Sequence, residues 1–283
     1  DCANVYEKGK SETILGKLIS GSRKDLVITS KVYFPTSNDV NARGNTRKNI
    51  MNSINESLKR LNTEYIDLYF LHRFDDLTPI EETMRVLDDL VRTGKVLYLG
   101  ASNFAAWQIA KSIGISEKNC WNRFECIQPM YNLVKRQAEV EILPMAISEN
   151  IGVINYSPTG GGLLSGKYAK NNQPTKGRLI ENKMYKVRYN EPEMFEIAEK
   201  FTLLSKKYGH SPISLAIAWA SSHAAITSPI IGGRNTEQLK DSLDSVKIEM
   251  TTDLRQEITD LSPNPGVATD RNEESTEHNY GQR

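Results

Sequence analysis

The sequence has few cysteines and no long apolar run. Its three cysteines, Cys2, Cys120 and Cys126, are an odd number without close spacing, so a disulfide framework is not indicated. Nothing in the chain resembles a signal peptide or a membrane-spanning stretch. We therefore expect a soluble protein of a reducing compartment, the cytoplasm, in which Cys120 and Cys126 are core thiols rather than a redox pair.

The sequence also lacks an excess of charge of either sign. Its 283 residues include 36 Lys and Arg against 35 Asp and Glu, a net charge of +1. Such a balance gives no basic field for a nucleic acid or an anionic membrane. The four histidines show no metal-ligand spacing, so we expect no metal site. Any partner has to be argued from individual sites.

Apolar runs typical of strands alternate along the chain with segments of helical periodicity. The predicted strands are 25–31, 65–71, 96–101, 126–128, 153–155 and 226–231. The predicted helices are 11–19, 46–61, 80–92, 105–113, 138–149, 191–207, 212–221, 236–244 and 253–260, with Pro144 expected to kink or divide its helix. We interpret 171–189 as a polar, irregular segment.

This alternation predicts parallel strand–helix units, in either a doubly wound sheet or an eight-stranded barrel. No G-x-G-x-x-G follows a strand, so the fingerprint of the dinucleotide-binding doubly wound fold is missing. Six strands and an abrupt start favour a (β/α)8 TIM barrel over 1–262, with the first two strands and first helix missing from this chain. A polar C-terminal tail, 263–283, follows it.

Polar residues follow the predicted strands at their carboxyl ends, where the chemistry of a barrel gathers. They include Lys31, His72, Ser102 with Asn103, Gln128 and Tyr156, while Asp1 and Tyr6 would follow the missing second strand. Each has a structural explanation when taken singly, such as a solvated strand end or a packed ring. Their joint placement favours a functional site.

A tyrosine beside a lysine and a histidine can transfer a proton to a carbonyl group. The phenol has a reference pKa of about 10, and a nearby ammonium lowers it. Asp1, paired with Lys31, would keep that amine charged. Tyr6 can then protonate the carbonyl oxygen as a hydride reaches the carbon, while His72 orients the substrate or assists the proton. The hydride has to come from a cofactor.

A glycine-rich loop follows the predicted strand 153–155. Its glycines let the backbone approach a ligand, and Tyr156 and Lys167 suit a flat ring and a pyrophosphate. Residues 161–167 also fit the P-loop spacing G-x-x-x-x-G-K, but Tyr168 stands where that motif needs Ser or Thr for magnesium. A solvated glycine-rich loop is the third interpretation.

Several motifs, taken in chain order, resemble those of the aldo-keto reductase family over nearly the whole chain apart from the tail. They are Asp1-x-x-x-x-Tyr6 with Gly9-Lys10-Ser11-Glu12, Ser30-Lys31, the run from Asp67 to His72, the run from Gly100 to Phe104, the run from Gln128 to Asn132, Tyr156-Ser157-Pro158, and the run from Ile231 to Arg234. Any one of them alone is a weak signal, whereas the ordered set is specific.

The resemblance implies a role for each group of residues. It implies a catalytic tetrad of Asp1, Tyr6, Lys31 and His72, with Ser102, Asn103 and Gln128 on a nicotinamide carboxamide and Tyr156 stacked on the ring. Residues implied for the pyrophosphate are Ser157, Pro158, Thr159, Gly160, Gly162, Ser165, Gly166, Lys167 and Arg178. Residues implied for the adenosine end are Gly232, Gly233, Arg234, Gln238, Asp241 and Ser242, the last standing where the family often has Asn.

The implied activity is the reduction of an aldehyde or ketone with NADPH, because the Arg234 guanidinium suits the additional phosphate of NADP. Tyr33 and Phe34 are expected to wall the substrate pocket. Family members also serve as cofactor-binding regulatory or redox-sensing subunits, and this alternative stays open.

Overall fold

The computed structural model describes residues 1–169, 174–233 and 235–268. The chain divides into two compact units, Asp1–Gln128 with Ser148–Gly152, and Pro129–Ile147 with Val153–Arg283. Arg234 and residues 269–283 of the predicted tail lie outside the described residues. Within the described part, no helix combines the length and the apolar character needed to cross a membrane.

The first unit is a repeated strand–helix pattern. Its strands are β1 (Thr29–Val32), β2 (Ile66–Leu71), β3 (Val96–Ser102) and β4 (Phe124–Gln128), and its helices are α1 (Lys10–Leu18), α2 (Arg47–Leu61), α3 (Ile80–Arg92) and α4 (Ala106–Asn119). Each strand pairs in parallel with the next one, so the order along the sheet is β1-β2-β3-β4. All four carboxyl ends therefore lie at one edge.

The chain preceding α1 is tied to β1 by backbone hydrogen bonds. The amide of Cys2 donates to the carbonyl of Thr29 at 2.9 Å, and that of Asn4 donates to the carbonyl of Lys31 at 3.1 Å. The two-residue interval on both sides is the spacing of a parallel pair. It brings Asp1 and Tyr6 to the edge where β1 ends.

Local sequence explains where α2 begins and ends. The Thr46 side chain accepts from the amide of Asn49 and caps α2, and Asn62 ends it in the left-handed conformation. Buried residues on α2 recur at helical spacing, with Ile50, Ile54 and Leu61 fully buried. They form one apolar face that packs in the core.

The second unit contains a shorter parallel pair and most of the remaining helices. Strand β5 (Gly152–Asn155) begins at the last residue of the first unit and pairs with β6 (Ser228–Pro229). The helices are α5 (Ile142–Ser148), α6 (Arg178–Glu181), α7 (Lys183–Arg188), α8 (Pro192–Lys207), α9 (Pro212–Ser221), α10 (Thr236–Leu243) and α11 (Thr252–Thr259). At its core, the fully buried Trp219 stacks on Tyr131 at 5.2 Å between ring centroids.

The predicted α/β class with parallel strands is confirmed, and the helices 80–92 and 212–221 match the structure to the residue. Strand 25–31 is wrong at its start, because Arg23–Asp25 forms a 3-10 turn and Val27 is exposed. The strand predicted over 226–231 is limited to Ser228–Pro229 in the structure, because proline donates no ladder hydrogen bond. The polar segment 171–189 contains α6 and α7.

Two helix predictions and one cysteine prediction also need correction. The helix predicted over 105–113 continues to Asn119, and the one predicted over 138–149 is the shorter α5. Pro144 does not divide α5, because it lies in the first turn, where no amide donor is needed. Cys126 is buried as expected, whereas Cys120 is exposed at the end of α4.

We predict that Gly16→Ala destabilises the protein by about 1–3 kcal/mol, because overpacking forces neighbouring atoms apart. A Cβ on Gly16 would lie 2.6 Å from the backbone of Arg60 and Leu61 on α2. Gly114→Ala on α4 is the matched control, since its Cβ would meet nothing within 4 Å. It should stabilise by about 0.5–1 kcal/mol through helix propensity. Urea denaturation measures both; equal midpoints would contradict the contact between α1 and α2.

Candidate active site

Lys31 is the centre of the polar cluster at the carboxyl edge of the first unit. It is the third residue of β1, and its side chain is fully buried. Its Nζ donates to Asp1 Oδ2 at 2.6 Å and to the carbonyl of Cys2 at 2.8 Å. A buried ammonium needs such partners, because an unpaired charge in the interior is costly.

The Asp1 carboxylate is itself fixed by two further side chains. Its Oδ1 accepts from Thr29 Oγ1 at 2.6 Å and from Gln128 Nε2 at 3.0 Å. Thr29 lies two residues before Lys31 on β1, so both side chains share one face of the strand. The ion pair is thereby held from β1 and β4 together.

Tyr6 and His72 complete the tetrad. The Tyr6 hydroxyl lies 3.5 Å from Lys31 Nζ, and the ammonium is 5.0 Å from the centre of the Tyr6 ring. The His72 ring meets the Tyr6 ring edge to face at 5.6 Å. Tyr6 is 38% exposed, so a small molecule can reach it. The structure therefore brings the four predicted tetrad residues together.

Burial shifts the pKa values of two of these groups. It lowers the pKa of Lys31 to about 7, with the Cys2 sulfur and the Glu12 carboxylate acting in the opposite direction. Burial also lowers the pKa of His72 to about 3, helped by the charge of Lys31. His72 is thus a neutral imidazole near neutral pH. Its Nδ1 is buried and has no hydrogen-bond partner among the residues that the structure describes.

Ser102, Asn103 and Gln128 form a second polar group at the same edge. Ser102 pairs with Gln128 in the β3–β4 register, and its Oγ donates to the Gln128 carbonyl at 2.8 Å. Asn103 Nδ2 donates to Ser102 Oγ at 3.0 Å and to the carbonyl of His72 at 2.9 Å. Asn103 has a φ of 57°, a conformation that asparagine tolerates better than most residues. These residues connect β2, β3 and β4 beside the tetrad.

Phe34, packed on His72, and its neighbour Tyr33 are the two residues expected to wall a substrate pocket. The Phe34 ring meets the His72 ring edge to face at 4.9 Å, and the Tyr33 ring meets Phe34 at 5.2 Å. Both residues are half-buried. An apolar surface therefore adjoins the neutral imidazole.

The glycine-rich loop belongs to the second unit. Tyr156 is bridged in parallel to Met130, and its amide donates to the carbonyl of Pro129 at 3.0 Å. Gly160, Gly161 and Gly162 follow with φ of 61°, 66° and 100°, so the turn requires glycine. A Cβ on Gly162 would meet nothing within 4 Å, whereas one on Gly161 would lie 2.6 Å from the Tyr185 ring. The loop is built around glycines, and it is open at Gly162.

The remaining predicted cofactor residues lie on four segments of the second unit. Ser157, Pro158, Thr159, Ser165, Gly166 and Lys167 surround the loop glycines, Arg178 begins α6, Gly232 and Gly233 follow β6, and Gln238, Asp241 and Ser242 lie on α10. Asn235 caps α10 by accepting from the amide of Gln238. A Cβ on Gly233 would lie 2.9 Å from the amide of Leu239, which explains the glycine there. Arg234 lies outside the described residues.

Sequence reasoning missed two side chains that support the tetrad. Thr29 holds Asp1, and its position two residues before Lys31 was the signal that could have shown it. Glu12 received no role, although it is fully buried and contacts Ser30, the neighbour of Lys31. An acidic residue in the first turn of a helix is usually solvated, so the sequence carries no such signal for Glu12.

Comparisons with known proteins identify the family of this chain. The model of the aldo/keto reductase family matches residues 1–263. An uncharacterized oxidoreductase of Bacillus subtilis is 36% identical over 282 residues, covering 95% of this chain and 84% of its own. A versiconal hemiacetal acetate reductase of Aspergillus parasiticus is 32% identical over 276 residues, covering 89% and 78%.

A third relative is named as a channel subunit rather than as an oxidoreductase or reductase. A probable voltage-gated potassium channel subunit beta of Arabidopsis thaliana is 33% identical over 258 residues, covering 88% of this chain and 77% of its own. Relatives above 30% identity span most of this chain, and the family match includes Asp1, Tyr6, Lys31 and His72. The chain therefore belongs to the aldo/keto reductase family.

Proposed function

We propose that this protein is an oxidoreductase that reduces an aldehyde or ketone to an alcohol with NADPH. The observation that carries the proposal is Tyr6, a residue that is 38% exposed and whose hydroxyl lies 3.5 Å from the buried ammonium of Lys31. A phenol in this position can give up a proton, because the charge that it leaves behind meets a fixed positive charge. Reductases among the relatives support the same reaction class.

In this proposal Tyr6 is the general acid. It donates its proton to the carbonyl oxygen, and Lys31 stabilises the phenolate that forms. Asp1 keeps the ammonium aimed, held in turn by Thr29 and Gln128. A bound nicotinamide supplies the hydride that reaches the carbonyl carbon.

His72 acts as a neutral hydrogen-bonding group rather than as an acid. Because burial lowers its pKa to about 3, it carries no charge at the pH where the reaction would run. A neutral imidazole can donate one N–H to the carbonyl oxygen and orient it toward Tyr6. Phe34, packed on the same imidazole, supplies an apolar wall for the rest of the substrate.

The residues present fit a nicotinamide dinucleotide. Ser102, Asn103 and Gln128 gather one hydroxyl and two side-chain amides at the strand ends, which suits a carboxamide. The left-handed glycines from Gly160 to Gly162 suit a phosphate, because no side chain obstructs the backbone. We propose that Tyr156 stacks on the ring, that Lys167 and Arg178 serve the pyrophosphate, and that α10 serves the adenosine end.

Two finer expectations belong to the same proposal. We propose that the parallel strands of this chain form part of a (β/α)8 barrel, since strands and helices alternate as that fold requires. We also propose NADP rather than NAD, on the resemblance that gives Arg234 to the 2′-phosphate.

The alternative is a cofactor-binding regulatory subunit with little turnover. It is favoured by one observation, the 33% identity to a probable voltage-gated potassium channel subunit beta. Both functions use a bound cofactor, so binding alone does not separate them. Turnover of a carbonyl substrate does.

We predict that Tyr6→Phe lowers kcat/KM for carbonyl reduction by about 100- to 10,000-fold, the usual contribution of a general acid. NADPH affinity should stay nearly unchanged, because the aromatic ring remains. NADPH oxidation with a panel of aldehydes and ketones, followed by absorbance, measures the first effect, and fluorescence titration measures the second. Tyr98→Phe, at an exposed tyrosine on β3, is the control.

Equal activity in wild type and Tyr6→Phe would remove Tyr6 from the mechanism. Tight NADPH binding without turnover in the wild type would favour the regulatory subunit instead.

We predict that kcat/KM for reduction declines as the pH rises through about 7. Burial depresses the pKa of Lys31 to about 7, so its ammonium is present below that pH and is lost above it. Without the charge, the phenolate of Tyr6 is less stabilised. A pH profile measured with saturating NADPH tests this, and a flat profile up to pH 9 would contradict the role of the ammonium.

We predict that Arg234→Ala weakens NADPH by about 10- to 100-fold, the loss expected for hydrogen bonds to a charged group. NADH lacks the 2′-phosphate and serves as the internal control, so its affinity should change far less. Titration of both cofactors against wild type and variant measures the ratio. An equal loss for both would refute the assignment of Arg234 to that phosphate.

A further inference from the structure

We propose that Glu12, a buried carboxylate outside the tetrad, is a positioning residue for Lys31, which it holds through Ser30 and supports with negative charge. This inference rests on the proposed function, in which the Lys31 ammonium serves Tyr6. It assigns a part in the reaction to a side chain that makes no contact with the substrate.

The Glu12 carboxylate joins three elements of the first unit. It is fully buried on α1, and its Oε1 accepts from the hydroxyl of Ser30 on β1. Its Oε2 accepts from Arg60 Nε on α2 at 2.7 Å. Both carboxylate oxygens are therefore satisfied, one by a charged donor.

Ser30 connects the Glu12 contact to Lys31 through the backbone of β1. Ser30 directly precedes Lys31 on β1, and adjacent side chains point to opposite faces of a strand. Ser30 points toward Glu12 on one face, and Lys31 points toward Asp1 and Tyr6 on the other. The contact of Ser30 with Glu12 fixes the backbone of β1 at this point. It thereby also fixes the direction in which the Lys31 side chain leaves the strand.

The charge of Glu12 also acts on Lys31. The groups that face the ammonium are Asp1, Cys2 and Tyr6 from the segment before α1, Glu12 from α1, and the neutral His72 after β2. Burial lowers the pKa of Lys31, while Cys2 and Glu12 oppose that shift. Glu12 therefore helps to keep the ammonium charged in a buried place.

Arg60 and Tyr69 are the two neighbours of Glu12 whose own charges decide how strongly Glu12 acts on Lys31. Arg60 is paired with it, but its side chain is 27% exposed, so water screens its charge in part. The Tyr69 hydroxyl is buried, without a hydrogen-bond partner in the described part of the chain, and burial raises its pKa. Tyr69 stays neutral, so Glu12 provides the negative charge on this side of β1.

The test is a titration of Lys31 in the full chain by NMR of ¹³C-labelled lysine, with the signal assigned by Lys31→Arg. Glu12→Gln keeps the size of the side chain but removes the charge; its amide oxygen can accept from Arg60, and its NH2 group can donate to the Ser30 hydroxyl. We expect the Lys31 midpoint to fall by about one pH unit, the size of one charge acting over several ångströms in a protein. The decline of kcat/KM should move to lower pH by the same amount.

Asp88→Asn is the matched control. Asp88 is also fully buried in the first unit and accepts from an arginine, Arg92 Nε at 2.6 Å. Its other oxygen accepts from the amide of Asn122, and it has no contact with Ser30 or Lys31. The same change of charge there should leave the Lys31 midpoint in place.

Two further variants keep the test decisive if Glu12→Gln does not fold. Arg60→Gln leaves Glu12 an amide donor but removes the positive charge that offsets the Glu12 carboxylate. The pH midpoint of the Lys31 titration should therefore rise. Glu12→Asp keeps the charge and should hold the midpoint near its wild-type value. A midpoint that moves in neither Glu12→Gln nor Arg60→Gln, or that moves as far in Asp88→Asn, would overturn the proposal.

The NMR titration needs no turnover, which separates this proposal from the proposed function. A shifted midpoint in a protein that reduces no carbonyl would refute the reductase and leave the coupling of Glu12 to Lys31 in place. Carbonyl reduction with an unshifted midpoint would refute the role of Glu12 alone.

Discussion

The burial of one ammonium group is the constraint on which the first unit depends. Lys31 has no exposed side-chain surface, and a charge so placed is stable only with close partners. Asp1 and the Cys2 carbonyl supply them, which ties the segment before α1 to β1. Because that segment also carries Tyr6, the need to satisfy the lysine brings the phenol to the strand ends.

The same burial separates the roles of the titratable groups. It depresses the pKa of both Lys31 and His72, but Cys2 and Glu12 oppose the effect at Lys31, whereas the charge of Lys31 adds to it at His72. Lys31 therefore changes its charge near pH 7, whereas His72 is uncharged at that pH. The proton transfer proposed at Tyr6 would then have a charged partner and an uncharged orienting group, each set by its surroundings rather than by residue type.

The second unit is governed by a backbone constraint. Three successive glycines after β5 adopt positive φ, which side chains disfavour. Gly161 is also pressed against Tyr185, whereas Gly162 faces open space. Packing against Tyr185 and positive φ both require glycine at position 161, whereas at Gly162 the positive φ alone does so.

The sequence by itself determined the alternation of strands and helices and the family, because hydrophobic periodicity and ordered motifs are local properties of the chain. It predicted the limits of α3 and α9 correctly, since proline and strong apolar spacing mark both helices. It overextended β6, whose length depends on pairing with β5 rather than on its own apolar residues. Only the tertiary structure showed that Thr29 and Gln128 fix Asp1 and that Glu12 lies behind Lys31. Those contacts join residues far apart in the chain, and their energies come from burial and distance, which no local pattern encodes.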